Sequence, residues 1–295
     1  NYFALPTLDY FTTYYWRVDS VNQAGKSKMA TAWSFGTKGI FTIVATAGAG
    51  GVINPSGNVS VNHGDNQSFT ITPDTGYHVD DVLVGGVSVG AVTDYKLVNL
   101  TLDNSISATF AINEYTITAS SGADGAIAPS GAVIVNHGDN QSFTITPDTG
   151  YHVDDVLVGG VSVGAVTDYE FVNLTLDNSI SATFAINEYT ITASSGADGA
   201  IAPSGAVIVN HGDNQSFTIT PDTGYHVDDV LVGGVSVGAV TDYEFVNLTL
   251  DNSISATFAI NEYTITAGSG ADGSIAPSGA VIVNHGDNQS FTITP

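Results

Sequence analysis

Cysteine is absent from all 295 residues, which excludes a disulfide framework, thiolate catalysis and a cysteine-ligated zinc site. Methionine occurs once and tryptophan twice. Basic residues are nearly as scarce. Five Lys and Arg stand against 29 Asp and Glu, a formal net charge of −24. A field of that sign repels phosphate backbones and anionic bilayers, so nucleic acid is not an expected partner. No apolar run approaches the roughly 20 residues of a bilayer-spanning helix, so no membrane insertion is expected in this segment. Neither a signal peptide nor a sorting tail is legible, and targeting segments are expected to lie outside this stretch. Lysine and arginine are missing altogether from residues 97–295, which excludes Lys–Asn isopeptide crosslinks there.

What is present is apolar and repetitive. Hydrophobic residues make up 43% of the chain, enough for packed cores and far more than a disordered acidic tail would carry. The segment Asn-His-Gly-Asp-Asn-Gln-Ser-Phe-Thr-Ile-Thr-Pro begins at Asn62, Asn136, Asn210 and Asn284, a step of 74 residues. Residues 114–187 and 188–261 are identical at every position. Residues 40–113 are a diverged copy. Residues 262–295 are a partial copy that differs from its predecessor at Gly268 (for Ser194) and Ser274 (for Ala200). A period of 74 exceeds the 20–50 residues of solenoids and propeller blades and suits a small autonomous domain. Residues 1–38 stand apart, with both tryptophans and four of the five basic residues, Arg17, Lys26, Lys28 and Lys38.

The repeat reads as all-β. Within Gln141–Pro147, Phe143 and Ile145 alternate with Ser142, Thr144 and Thr146, the period of a half-buried strand. Residues 179–186 repeat that alternation, with Ile180, Ala182, Phe184 and Ile186 on one face. Residues 115–119, 132–135 and 169–174 supply further strands. Gly159-Gly160 between 153–158 and 161–166 signals a two-residue hairpin. Helical spacing of apolar residues occurs nowhere in the repeat. Six or seven short strands per repeat are expected, arranged as a small sandwich or a β-grasp-like sheet. The joint Phe110-Ala111-Ile112-Asn113-Glu114-Tyr115 has no Gly/Ser or Pro-rich spacer, so the angle between neighbours should be restricted and the tandem array extended.

Two resemblances follow from particular residues. The stretch Thr12-Thr13-Tyr14-Tyr15-Trp16-Arg17-Val18, with Ala32-Trp33-Ser34-Phe35-Gly36-Thr37, resembles the C-terminal half of a fibronectin type III domain, a β-sandwich, over residues 1–38. The 74-residue unit resembles the divergent internalin-type B repeat of large surface proteins. That likeness rests on Tyr115-Thr116-Ile117-Thr118-Ala119, Pro129-Ser130-Gly131, Phe143-Thr144-Ile145-Thr146-Pro147 and Gly150-Tyr151. It continues through Val156-Leu157-Val158 to Ala182-Thr183-Phe184. The domains expected are therefore the partial fibronectin-like segment 1–38, repeats 40–113, 114–187 and 188–261, and a truncated repeat 262–295. The resemblance implies a stalk, spacer, adhesive or fibre-forming role, extracellular or at the cell surface of a bacterium or archaeon. It brings no catalytic residues.

The polar clusters carry the same expectation. Asn136-His137-Gly138-Asp139-Asn140 has the residue types of a turn. In Tyr151-His152-Val153-Asp154-Asp155, strand alternation sets Asp154 and Asp155 on opposite faces, so they cannot converge on one glycosidic bond. No H-x-H or H-E-x-x-H spacing offers zinc a site. Nine acids and no Lys or Arg in residues 114–187 leave calcium as the one open cofactor. Asp124, Asp139, Asp154, Asp155, Asp168 and Asp177 are its candidate oxygens, though without an EF-hand or nonapeptide pattern. Asn-x-Ser/Thr sequons recur at Asn66, Asn99, Asn140, Asn173, Asn214, Asn247 and Asn288, with another at Asn58. Tyr115, Tyr151 and Tyr169 are the only aromatic stacking platforms for a glycan in a repeat and are expected to fill the core instead. Copies serve length and avidity better than they serve a single catalytic geometry. No enzyme activity is expected, and no catalytic, cofactor or metal residue is assigned. Expected partners are other copies, laterally or end to end in a fibre, and a host-surface, matrix or glycan ligand. The alternative is a non-catalytic accessory region of a secreted polysaccharide-degrading enzyme.

Overall fold

A computed structural model describes residues 7–25 and 27–295; residues 1–6 and Lys26 lie outside the described residues. The chain parts into two compact units. One is Asn1–Thr118 with Ala132–Ser142 and Glu170–Asn178; the other is Ala119–Gly131 with Phe143–Tyr169 and Ser179–Pro295.

The first unit begins with β1 (Thr13–Trp16), β2 (Ser20–Val21), β3 (Ser27–Lys28) and β4 (Trp33–Gly36). β1 pairs with β4 and β2 with β3, both antiparallel. Trp16 and Trp33 meet across the first pair with ring centroids 4.6 Å apart. Among the described residues before Gly39, none is buried.

The first full repeat follows as β5 (Ile40–Ala47), β6 (Gly51–Asn54), β7 (Gly57–Asn62), β8 (Gln67–Pro73), β9 (Tyr77–Val84), β10 (Val87–Ser88), β11 (Asp94–Leu97) and β12 (Asn104–Ile112). These eight strands form a five-stranded sheet, order β10-β9-β12-β5-β7, and a three-stranded sheet, order β11-β8-β6. The two sheets share one core, as expected for a small all-β module of mixed and antiparallel sheets. The strand count exceeds the expected six or seven because β6 and its counterpart Gly125–Ala128 are four-residue strands set between Gly-rich and Pro-containing turns, whose residue types mask the strand.

Alternation places the core between the sheets. Ile43, Val82 and Ile106 from the larger sheet meet Phe69 and Ile71 from the smaller, each at most 1% exposed. Burying a side chain of that size stabilises by roughly 1.5–3 kcal/mol. All pairings in the repeat are antiparallel except one. β12 runs parallel to β5, Asn104 opposite Ile43 through Ala108 opposite Ala47. The first and last strands are thus neighbours in the middle of the sheet, and the chain enters and leaves at opposite ends of the ladder they share.

In the second unit, residues 188–261 repeat this plan. Glu188–Ser195 pairs in parallel with Asn252–Ile260, and Ile191, Phe217, Ile219, Val230 and Ile254 form the centre of the core. Residues 114–187 show the same strand bounds, from Glu114–Ser121 to Asn178–Ile186. Their hairpin turns at Gly159-Gly160, with φ of 55° and 80°. Positive φ at both positions is the type I′ geometry that this dipeptide signals, and glycine adopts it without strain. In residues 262–295, Glu262–Ala267 pairs with Gly279–Asn284, and Ser274–Ala276 with Thr292–Thr294.

Candidate functional site

The residues that join one repeat to the next form a connected polar arrangement. β12 ends at Ile112 and the following strand starts at Glu114, so Asn113 alone is the linker. Its N–H donates to the Gly76 carbonyl at 2.8 Å, and its carbonyl accepts from the His137 N–H at 2.7 Å. Its side-chain Oδ1 lies 2.9 Å from His78 Nδ1. A single asparagine therefore ties the turn before β9 to the turn that follows Gly131–Asn136 in the next copy.

A histidine completes the joint. The His137 ring packs over Gly76 so closely that a Cβ on Gly76 would overlap it. Gly76 also has φ of +83°, which L side chains adopt only under strain. Tyr115 flanks the same imidazole, with ring centroids 5.9 Å apart and its hydroxyl 3.5 Å from Nδ1.

The second unit carries the same set twice. Asn187 bonds the Gly150 carbonyl and the His211 N–H, both at 2.8 Å, with His152 Nδ1 2.9 Å from Asn187 Oδ1. Asn261 does the same with Gly224, His285 and His226. Beside Asn261 lies an open cleft of about 580 Å³ lined by His226, Ala259, Ile260, Asn261, Glu262 and Tyr263. At the start of the first repeat, Gly39 takes the place of the asparagine and accepts from the His63 N–H at 2.8 Å. Phe11 supplies the packing there, edge-on to His63 at 5.1 Å.

The residues singled out in the sequence fall around this joint rather than into one pocket. The turn 136–140 forms, with Gly138 at φ +85°, but its His137 reaches into the preceding copy. His152 bonds Asn187. A bulge between Val153 and Asp155 breaks the expected alternation. Asp154 is exposed and accepts from the Thr183 hydroxyl at 3.2 Å, whereas Asp155 is half-buried. Asp155 caps its own bulge, accepting from the Val156 N–H at 2.8 Å and the Ser162 hydroxyl at 2.6 Å. A bulge adds a residue to one strand and so re-aims the side chains beside it, which two-residue periodicity cannot foresee.

The other acids act locally as well. Asp168 accepts from Thr144 at 3.1 Å, and Asp177 from the Thr116 N–H at 2.8 Å. Asp124 takes a positive φ of 71°. Among the described residues, no group of three or more His, Asp or Glu is placed to hold a metal ion. Tyr115, Tyr151 and Tyr169 are half-buried. The sequon asparagines pair: Asn140 Oδ1 accepts from the Asn173 N–H at 2.9 Å, and Asn214 from Asn247 at 2.9 Å. The pairing of His137 with Gly76 left no local signal, because copies repeat every residue equally and so do not mark those that touch.

One tyrosine phenol is held in its neutral form by its neighbours. The Asp198 carboxylate, then partial burial, then the hydrogen bond it donates to Asp198, and lastly Asp222, raise the Tyr225 phenol above its ordinary 10.0. The neutral phenol is thus favoured by folding. That stabilisation is fully present below pH 10 and is lost as pH rises through the raised value. In an alkaline absorbance titration, Asp198→Asn is expected to move one tyrosine to earlier ionisation; an unchanged curve would count against the assigned cause.

The model of the divergent InlB B-repeat domain matches residues 41–114, 115–188 and 189–262. The chain belongs to this family. Its B repeats are joined, on the geometry above, by one asparagine each. No curated protein matches the sequence. Among solved structures, the Bacillus anthracis TIE protein is similar over 79% of this chain and 53% of that one, at 12% identity and a TM-score of 0.35. The B-repeat chain thus spans about half the length of that protein. The I9–I11 tandem from titin is similar over 75% of this chain and 98% of that one, at 10% identity and a TM-score of 0.11. Scores this low do not show a shared fold.

Proposed function

We propose that this chain is a non-catalytic stalk segment of a secreted or cell-surface protein of a bacterium or archaeon, and that its purpose is reach. The observation that supports this most is the joint. A single residue separates consecutive repeats, and its N–H, carbonyl and side chain are all engaged. A linker without free rotation suits a spacer that holds something at a distance, whereas independently tumbling beads would need a flexible one. The parallel first and last strands favour the same reading, because each repeat passes the chain from one end to the other.

Small-angle scattering of the 295-residue chain tests it. Repeats of about 30 Å each, set end to end, should give a maximum dimension on the order of 100 Å. A particle of half that dimension would reject the stalk.

A further inference from the structure

We propose that each B repeat is a mechanical clamp, built so that tension along the chain shears its central parallel ladder. The stalk reading enters only by setting the direction of the load.

The two strands that receive external force are the first and the last of the repeat. In residues 40–113 these are β5 and β12, adjacent and parallel, in register from Ile43 opposite Asn104 to Ala47 opposite Ala108. Tension pulls β5 back from its N-terminus and β12 forward from its C-terminus. The two strands must then slide past one another along their common axis. Ladder hydrogen bonds lie across that axis, so those of the five paired positions bear the load together. Pulling the strands apart sideways would break the same bonds one after another.

Three further features concentrate load on this ladder. Both strands are interior to the five-stranded sheet, so neither can be peeled from an edge. They carry Ile43 and Ile106, each 0% exposed, which keep water from the core face of the ladder. The ladder is extended at its end by the Gly48 N–H, which donates to the Ala108 carbonyl at 2.9 Å. Residues 188–261 repeat all of this, including Gly196 on Ala256 at 2.9 Å. No disulfide is available anywhere in the chain and no Lys–Asn crosslink within residues 97–295. The ladder, between the two strands that receive the force, is thus placed to resist extension.

Single-molecule pulling on the whole chain through tags at its two ends gives the test. Each full repeat should unfold in one event that releases roughly 20 nm, from 74 residues at up to 3.6 Å each less the folded length. Because the protein has no cysteine, Thr192→Cys and Ser253→Cys can carry handles that load the same ladder sideways, across register partners. The end-to-end unfolding force should exceed the sideways force at least about two-fold, since a shared load must break several bonds at once. Equal forces in the two geometries overturn the clamp.

A second arm uses Gly196→Pro, which deletes the donor to Ala256. Within the identical pair of repeats, one force peak should fall and the other stay; two unchanged peaks overturn the proposal. The handle comparison uses an intact ladder, so it decides the matter even if the proline repeat does not fold. A compact particle in scattering would reject the stalk without changing either pulling result, so the two readings fail separately.

Discussion

Phe217→Ala is expected to unfold the third repeat while the first remains folded. Phe217 is 1% exposed and lies on the middle strand of the three-stranded sheet, edge-on to Phe245 at 5.8 Å. Removing a buried phenylalanine costs about 3–5 kcal/mol, through lost transfer energy and the cavity left behind. Domains are stable by only about 5–15 kcal/mol, and a repeat of this size, without disulfides, belongs at the low end. The substitution thus removes most of what the repeat has. Residues 40–113 keep their own core around Phe69 and Ile71. Calorimetry should show the lost enthalpy of one repeat at low temperature, with the remainder melting as before. Loss of the entire transition would mean that the copies do not fold separately.

Gly150→Ala should act on the joint instead of on the core. Gly150 has φ of +88°, and a Cβ there would overlap the His211 ring. Backbone strain of this kind costs about 1–3 kcal/mol, and the overlap adds to it unless the imidazole swings away. If it swings away, the ring contact with Tyr189 at 5.9 Å is lost with it. The expected result is a destabilisation of about 2–4 kcal/mol. His211→Ala in the same chain should recover the overlap but not the φ strain, a coupling that a double-mutant cycle measures directly. Strict additivity of the two substitutions would show that the imidazole does not hold the joint. The corresponding change at Gly224, against His285, should behave alike.

The hairpin at Gly159-Gly160 and the strand Gln141–Pro147 were legible because each depends on residues next to one another. The brevity of the linker was legible too, since Phe110–Tyr115 contains nothing flexible. The grip at the linker was not. Asn113 reads as an ordinary residue between two strands, and its partners Gly76, His78 and His137 lie in other turns. His152 and the Asp154-Asp155 pair looked like one cluster in sequence, yet the bulge and the hydrogen bond to Asn187 send them to separate structural tasks.

By itself the sequence determined the 74-residue period, the all-β class and the absence of disulfides and Lys–Asn crosslinks in residues 97–295, because these follow from composition and from periodicities a few residues long. Tertiary structure alone decided that the first and last strands lie side by side in parallel, and that a histidine of one copy seats on a glycine of the copy before. Pairings such as Asn104 with Ile43 are chosen by how two sheets close over Ile43, Phe69 and Ile106. That closure depends on packing between distant segments, and no local pattern of residues encodes it.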